Sequence, residues 1–326
     1  MPYTYDHGSG TSGDPYQVWT ANDLNGVRDH LSAYFIQMSN IDISGIANWL
    51  PIGAKETPEP NWWNTPDPFN GNYDGGAHVI YGITINNGGQ WYSGLFAVLG
   101  TGAVVTRLGF DNVNIYEEGT FATAYGGVIC GWNYGTISRC FARGSVSIAY
   151  AAGGLSPVVH GGSIENSYFG GSVHIIYPGG YAGGLVGADD AGSTVHHCYA
   201  YATVTGDDVA GGLMAYSTET VVNSYYNSEL TAYSAAGDPR STAEMTYPPA
   251  SNTYAGWDFA TIWLHDTEYT INSGYPYLFG DAAFAVHSKI TAAWKSGPAW
   301  IKKDGQWKSV TAGWIKEGGT WKPIVP

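Results

Sequence analysis

Four times between residues 126 and 230, the chain repeats the pattern seen in Gly126-Gly127-Val128-Ile129-Cys130-Gly131 and in the following Ile137-Ser138-Arg139-Cys140-Phe141. The glycine pairs that open the copies lie at positions 126, 153, 183 and 211, which are 27, 30 and 28 residues apart. Each copy alternates short β-prone runs with glycine turns and has no helical period. This period is typical of one coil of a parallel β-solenoid, whose strands pair with equivalent strands of the neighbouring coils.

The four copies align column by column. Three columns hold β-branched, small and aromatic residues in turn: Ile137, Ile164, Val195 and Val221; Cys140, Ser167, Cys198 and Ser224; Phe141, Tyr168, Tyr199 and Tyr225. In coils stacked about 4.8 Å apart, equivalent residues lie above one another. We therefore predict that the first column is buried and that the second stacks near a corner. Weaker copies at residues 73–85 and 93–108 bring the predicted number of coils to about six.

The predicted fold is all-β, in four regions. Residues 1–71 form an N-terminal cap and first strands with a Trp-rich insertion, and residues 72–230 form the solenoid. Residues 231–284 lose the repeat but keep large apolar side chains, which are predicted to plug the last coil. In the first region, Thr20 followed by Asp23 and then by Leu24, Val27 and Leu31 at helical spacing predicts a short capping helix.

The fourth region, residues 285–326, has its own repeat. Two Trp/Lys-rich runs lie 14 residues apart around Asp304-Gly305 and Gly318-Gly319, which are strong two-residue hairpin turns. They predict a small antiparallel module in which Lys302 faces Trp307. A module of this size can bury little apolar surface by itself. We therefore predict that a partner covers its tryptophan side chains. The predicted docking residues are Trp300, Trp307, Trp314, Trp321 and Lys302.

Charge separates the same two parts of the chain. Only 12% of the 326 residues are charged, and the formal net charge is −14. Residues 1–284 carry 6 Lys and Arg against 25 Asp and Glu, whereas residues 285–326 carry 7 Lys against 2 acids. The acidic charge of residues 1–284 argues against nucleic acid as a partner, because it would repel the phosphates. No apolar run of eighteen residues and no signal-like start is present, which predicts no membrane insertion and no export signal.

Residues 126–146 resemble the GLUG repeat of bacterial surface and secreted proteins, as does Gly183-Gly184-Leu185-Val186-Gly187. The resemblance extends to flanking phrases such as Gly13-Asp14-Pro15-Tyr16 and Gly256-Trp257-Asp258-Phe259 and covers roughly residues 8 to 280. It implies a right-handed β-solenoid used for display and adhesion, and it brings no catalytic residues. The Trp/Lys hairpins resemble the ends of bacteriophage structural proteins.

The titratable residues suggest little chemistry. Asp189-Asp190 and Asp207-Asp208 are read as solvated turn acids, with a calcium site across one coil as the alternative. His196 and His197 should diverge as strand neighbours. The three cysteines lack metal or disulfide spacing and are read as core residues. No catalytic residue, metal or cofactor is therefore predicted.

Aromatic residues on loops are more suggestive. Trp62 and Trp63 lie in a proline-bounded insertion beside Asn61 and Asn64, and Trp91-Tyr92 precede a coil. Rings and amides are what sugar faces and hydroxyl groups favour. The alternatives are a glycan-binding surface and a lid that folds over the solenoid.

These observations predict a non-enzymatic display or adhesion protein. An extracellular-type repeat without an export signal suits a bacteriophage tail, fibre or capsid-surface component, made in the host cytoplasm and placed on the virion surface. It would bind assembly proteins through residues 285–326, with a homotrimer as an alternative, and it would contact a host glycan. The other candidates are a secreted or cell-surface bacterial adhesin and a polysaccharide lyase or hydrolase.

Overall fold

The computed structural model describes residues 1–54, 66–86, 91–116, 124–206 and 209–279, and the backbone of strands between residues 299 and 324. The chain divides into two compact units, Met1–Ala283 and Phe284–Pro326. This division lies beside the predicted change of module at residue 285.

The first unit begins with a cap and loosely repeated coils. Its elements up to residue 126 are β1 (Tyr16–Val18), α1 (Ala21–Gly26), a 3-10 turn (Val27–Asp29), β2 (Tyr34–Gln37), β3 (Ile41–Asp42), β4 (Asn72–Tyr81), β5 (Thr84–Asn86), β6 (Tyr92–Ser93), β7 (Val104–Tyr116) and β8 (Tyr125–Gly126). Thr20 caps α1 and exchanges hydrogen bonds with Asp23, while Leu24 and Val27 are fully buried. The predicted capping helix is thus confirmed.

The regular coils follow. Their strands are β9 (Thr136–Ser138), β10 (Phe141–Ile148), β11 (Ala151–Gly153), β12 (Ser156–His160), β13 (Ser163–Glu165), β14 (Tyr168–Ile175), β15 (Tyr181–Gly183), β16 (Val186–Asp190), β17 (Thr194–His196), β18 (Tyr199–Thr205), β19 (Val209–Gly211), β20 (Met214–Tyr216), β21 (Val221–Val222) and β22 (Tyr225–Asn227). A complete coil has four strands, and all pairings between coils are parallel.

The coils stack into three parallel sheets. The first two strands of each coil join a 15-stranded sheet, the third joins the sheet β19-β15-β11-β8-β6, and the fourth joins the sheet β12-β16-β20. The result is an all-β solenoid of about five turns, close to the six predicted.

The aligned columns are interior stacks, as predicted. Ile137 pairs with Ile164, which pairs with Val195, and each is at most 1% exposed. Val221 continues the register but is only half-buried, because no regular coil follows it. The adjoining column of Cys140, Ser167, Cys198 and Ser224 is buried throughout.

One corner of every coil is a left-handed residue. It follows the interior column by two positions, and its φ lies between 46° and 53° at Arg107, Arg139, Asn166, His197 and Asn223. Asn and His are among the residues that tolerate this region best. The corner turns the chain between the first and second strands of the coil.

A column of aromatic rings lies on the outer side of the second strands. Phe141 and Tyr168 stack with centroids 5.2 Å apart, and Tyr168 and Tyr199 with centroids 4.9 Å apart. Tyr225 continues the register. Their strand neighbours Ala142, Phe169, Ala200 and Tyr226 belong to the interior cluster, so this column faces the opposite way.

The segment after the repeats covers this outer column. It contains β23 (Asp238–Arg240), α2 (Thr242–Met245), β24 (Trp263–Leu264) and β25 (Tyr277–Leu278). Residues 233–240 extend the last coil, because Ala236 bridges to Met214, the Ala235 amide donates to Met214 O, and β23 pairs with β22. Beyond it, Trp263 Nε1 donates to Asn166 Oδ1 and Arg143 donates to Ile271 O, two and three coils back. The segment after the repeats thus closes the last coil through residues 233–240, as expected of a cap, and from there to residue 279 it also packs along the flank, where the outer column supplies the apolar surface that it buries.

The second unit consists of two antiparallel hairpins, as predicted. They pair β26 (Ala299–Lys303) with β27 (Gln306–Val310) and β28 (Gly313–Glu317) with β29 (Thr320–Ile324). Lys302 lies opposite Trp307 in the predicted register, and Lys316 lies opposite Trp321.

Candidate functional site

A second row of rings, here called the tyrosine ladder, runs along the five-stranded sheet and consists of Tyr92, Tyr125, Tyr150 and Tyr181. Successive centroids are 5.9, 5.6 and 5.6 Å apart, and the last two contacts are edge to face. All four side chains are half-buried. Unlike the outer column of the second strands, the ladder is covered by no segment of the part of the chain that the structure describes.

The ladder forms because its residues stand just before the glycines that open each coil. Tyr92 pairs with Tyr125, and Tyr125 pairs with Ala151, which pairs with Tyr181. At the third coil the ring comes from the preceding residue, Tyr150, so the row stays continuous. A Cβ at Gly131 would lie 2.5 Å from the Tyr92 Cβ, so a glycine there is needed for the ring to lie against the next corner.

A groove of about 450 Å³ opens at the N-terminal end of the ladder. It is lined by Pro66, Pro68, Asn70, Tyr92, Val98, Gly100, Thr101, Trp132 and Tyr134. A Cβ at Gly100 would lie 2.0 Å from Asn70 Oδ1, so this glycine leaves room for the amide in the groove wall.

The groove is lined by aromatic rings and by a few polar groups. Trp132 lies edge-on to Tyr92 and Tyr125, with centroids 6.2 and 5.2 Å away, and Tyr134 is 36% exposed. The indole Nε1 of Trp132 has no hydrogen-bond acceptor among the described residues, although it is shielded from solvent. A donor so shielded is out of reach of a ligand in the groove, so the groove offers a ligand the aromatic rings rather than this N–H.

Burial raises the pKa of Tyr92, Tyr125 and Tyr181 above the ordinary value. Their hydroxyl groups are therefore neutral at physiological pH and can both donate and accept hydrogen bonds. The described lining of the groove is aromatic and uncharged, and at its edge the His160 imidazole contacts the Asp190 carboxylate and packs edge-on against Tyr134.

The structure describes only two of the four predicted ligand-binding residues, Trp91 and Tyr92. Tyr92 lies in the groove, and Trp91 precedes it, with its carbonyl accepting from the Tyr125 amide at 2.8 Å. Trp62 and Trp63 lie outside the described residues, in a segment that rejoins the structure at Pro66 in the groove wall. Sequence reasoning missed Tyr125, Trp132, Tyr134, Tyr150 and Tyr181. The recurrence of an aromatic residue shortly before the Gly-Gly pairs was the available signal.

One acid of the first predicted pair does not behave as predicted. Asp189 is 4% exposed, not a solvated turn acid, because its carboxylate accepts from Ser217 Oγ at 2.8 Å and from the Thr218 amide at 2.6 Å. It anchors the turn after β20. Asp190 pairs with His160, and Asp207 and Asp208 lie outside the described residues. Within the described ranges, no group of three or more His, Cys, Asp and Glu side chains is arranged to hold a metal ion.

Histidines 196 and 197 converge, contrary to the prediction that they diverge. His197 occupies the left-handed corner, which turns its side chain toward that of His196, and the two Nδ1 atoms are 3.4 Å apart. Desolvation by burial, aided by His196, lowers the pKa of His197. The sequence of this one coil does not reveal the left-handed corner. Only the alignment of the coils does, because the position of His197 is held by Asn166 and Asn223 in the neighbouring coils.

The cysteines are core residues, as predicted. Cys130, Cys140 and Cys198 carry thiols with no exposed surface. Burial raises the pKa of Cys130 to about 12, so its thiol is neutral and unreactive at physiological pH.

The predicted docking residues Trp300, Trp307, Trp314, Trp321 and Lys302 all lie on hairpin strands. The structure describes their backbone positions only. Among the described residues, no helix has the length and apolar character needed to cross a bilayer.

No protein-family model matches the chain, so the resemblance to the GLUG repeat stays a prediction. Two curated proteins are similar over part of it. A "Putative Gly-rich membrane protein" of Evansella cellulosilytica is 33% identical over 137 residues, which cover 40% of this chain and 14% of that protein. Halomucin of Haloquadratum walsbyi is 28% identical over 124 residues, which cover 36% of this chain and 1% of that protein. The chain thus matches a small part of each much longer relative.

A solved structure has a similar fold. The crystal structure of "a putative immunoglobulin A1 protease from Bacteroides ovatus" superimposes with a TM-score of 0.57 at 20% identity, covering 85% of this chain and 95% of that one. At this identity the likeness concerns the fold. It agrees with the β-solenoid architecture described above.

Proposed function

We propose that this chain is a non-catalytic display module of a surface or secreted protein and that it binds carbohydrate along the tyrosine ladder. The observation that carries the proposal is the uncovered ladder ending in the 450 Å³ groove. Neutral phenol rings, an indole ring and an amide suit the apolar faces and hydroxyl groups of sugars.

The two curated relatives favour a surface or secreted protein rather than a component of a virion. One is named a membrane protein and the other halomucin, and both are far longer than the region matched. A module repeated or embedded in a long surface protein fits these lengths. A bacteriophage display protein is the alternative, and a gene neighbourhood of capsid and tail proteins would favour it.

A polysaccharide lyase or hydrolase is the alternative from another class. Against it, the described part of the ladder and groove has His160 and Asp190 at its edge but no pair of carboxyl groups facing each other across a cleft. Incubation with bacterial and host polysaccharides should release neither reducing ends nor unsaturated sugars. Release of either by the purified chain would overturn the non-catalytic part of the proposal.

Binding can be tested on an array of bacterial and host glycans, followed by titration of the best soluble ligand. Replacing the exposed groove residue Tyr134 by Ala should weaken binding about tenfold or more, since stacking contacts are worth roughly 1 to 3 kcal/mol. Tyr233→Ala, at a residue that is 61% exposed outside the ladder, is the matched control. Equal loss in both variants, or binding of no glycan, would contradict the proposal.

For the second unit we propose a docking role. Its Trp/Lys hairpins carry a positive charge excess, whereas the rest of the chain is acidic, so an acidic assembly partner or another copy suits it. Deleting residues 285–326 should leave a folded solenoid by circular dichroism and abolish attachment or oligomerisation. Normal assembly of the truncated chain would contradict this role.

A further inference from the structure

The histidine pair at one corner of the solenoid has the geometry of a chelate. His196 ends β17, and His197 occupies the left-handed corner with φ of 52°. Neighbouring side chains in a regular strand point to opposite faces. Here the corner brings both imidazole rings to one side, with centroids 5.3 Å apart and planes inclined by 79°.

The separation of the two nitrogens fits a metal ion better than a hydrogen bond. The Nδ1 atoms of His196 and His197 are 3.4 Å apart, which exceeds the usual N–H hydrogen-bond range of about 2.7 to 3.2 Å. Zinc binds imidazole nitrogen at about 2.0 to 2.1 Å with tetrahedral angles, which puts two ligand nitrogens roughly 3.3 Å apart.

A carboxylate lies where it would orient one ligand. The Oε2 atom of Glu165, at the equivalent position of the previous coil, is 3.1 Å from His196 Nε2. A carboxylate that accepts from Nε2–H fixes the tautomer whose lone pair is on Nδ1, and metal-binding histidines commonly have such a partner. Glu165 is therefore a positioning residue rather than a ligand.

We propose that His196 and His197 chelate a divalent transition-metal ion such as Zn²⁺ through their Nδ1 atoms. The His196 side chain is 34% exposed, so water can complete the coordination. Two protein ligands are fewer than the four of a structural zinc site, and the bound ion should therefore exchange readily.

The repeat itself supplies substitutions that the corner accepts. The position of His197 is held by Asn166 and Asn223 in the neighbouring coils, with φ of 47° and 46°. The position of His196 is held by Ser138 two coils earlier. His197→Asn and His196→Ser therefore remove one ligand each and keep residues that the fold already uses there.

Calorimetric titration of the full chain with zinc chloride tests the proposal, with unfolding midpoints measured to show that each variant is folded. The wild type should bind one ion at this site, and His197→Asn and His196→Ser should each lower the affinity at least tenfold. Glu165→Ala should lower it about tenfold or more. His174→Ser is the control, because His174 lies on β14 with its Nδ1 on Thr205 Oγ1, and it should bind as the wild type does.

Three results would overturn the chelate. They are an absence of zinc binding by the wild type up to millimolar concentration, unchanged affinity in both corner variants, and an equal loss of affinity in His174→Ser. The double variant His196→Ser with Ser138→His should also fail to bind, because its new imidazole lies two coils away from His197, and recovery of zinc binding by this variant would contradict the chelate as well.

Discussion

The solenoid carries two rows of aromatic rings that differ in solvent exposure. The outer column of Phe141, Tyr168, Tyr199 and Tyr225 is at most 2% exposed because residues 241–279 lie over it. The tyrosine ladder is built from the same stacking of coils, yet its rings stay half-buried with no covering segment among the described residues. A row of rings thus stabilises the fold where the chain covers it, and we propose that it serves as a binding surface where no described segment covers it.

The largest effect is expected from the interior on which both rows depend. Ile164→Asp places an unpaired charge in a dry stack between Ile137 and Val195, and it should cost several kcal/mol of unfolding free energy. Chemical denaturation measures it. Ile164→Val, which keeps the shape of its neighbour Val195, is the control and should cost about 1 kcal/mol. A stable Asp variant would contradict the register of the coils.

Next in size is loss of a ring from the covered row. Tyr199→Ala removes a fully buried ring that stacks on Tyr168 and Tyr275, and it should lower the unfolding free energy by about 3 to 5 kcal/mol. Tyr199→Phe loses only the hydroxyl contacts with Asn272 and Pro276, at a cost of roughly 1 to 3 kcal/mol. A cost below 1 kcal/mol for the Ala variant would mean that the cover is not seated on the column.

Alkaline pH should loosen the cover. Burial raises the pKa of Tyr254 well above its ordinary value of 10, so the folded chain keeps this proton while the unfolded chain releases it. The stability linked to Tyr254 is therefore fully present below pH 10 and falls as the pH rises above 10. The unfolding midpoint measured between pH 9 and 11 should decline less steeply in Tyr254→Phe. That variant also loses the 2.9 Å hydrogen bond to Met245 O, about 1 kcal/mol at all pH values. An unchanged slope would contradict the burial.

The smallest effect on stability should come from the open row. Tyr150→Ala removes a half-buried ring whose two edge-to-face contacts, with Tyr125 and Tyr181, are worth about 1 kcal/mol each. Its unfolding free energy should fall by roughly 1 to 2 kcal/mol, well below the loss in Tyr199→Ala, while glycan binding weakens. Equal destabilisation by Tyr150→Ala and Tyr199→Ala would contradict the distinction between an open and a covered row.

The repeat made the interior predictable, because columns such as Ile137, Ile164 and Val195 must coincide once the coils are stacked. The cover was not predictable in the same way. Its contacts join residues far apart in sequence, such as Trp263 with Asn166 and Arg143 with Ile271, and they depend on a flank that no local pattern marks. A plug for the open end was the simpler inference.

The candidate site was found only at one point, Tyr92, for a similar reason. At the third coil, the aligned position is Ala151, and the ring comes from Tyr150 instead. An alignment of the coils therefore shows no continuous column of aromatic residues. Trp132 and Tyr134 join the ladder from the segment between β8 and β9, outside any strand. The convergence of His196 and His197 depends on a backbone conformation that a strand pattern does not contain.

Hydroxyl-radical footprinting of the full chain, with and without its best soluble glycan, tests most directly whether the open row is the binding surface. Bound glycan should protect the ladder and groove, above all Tyr92, Tyr125 and Tyr134, and leave the exposed Tyr216 and Tyr233 unchanged. The covered Tyr168 and Tyr199 should be unreactive in both states. Protection confined to Tyr216 and Tyr233, or an unprotected ladder under saturating glycan, would contradict the account.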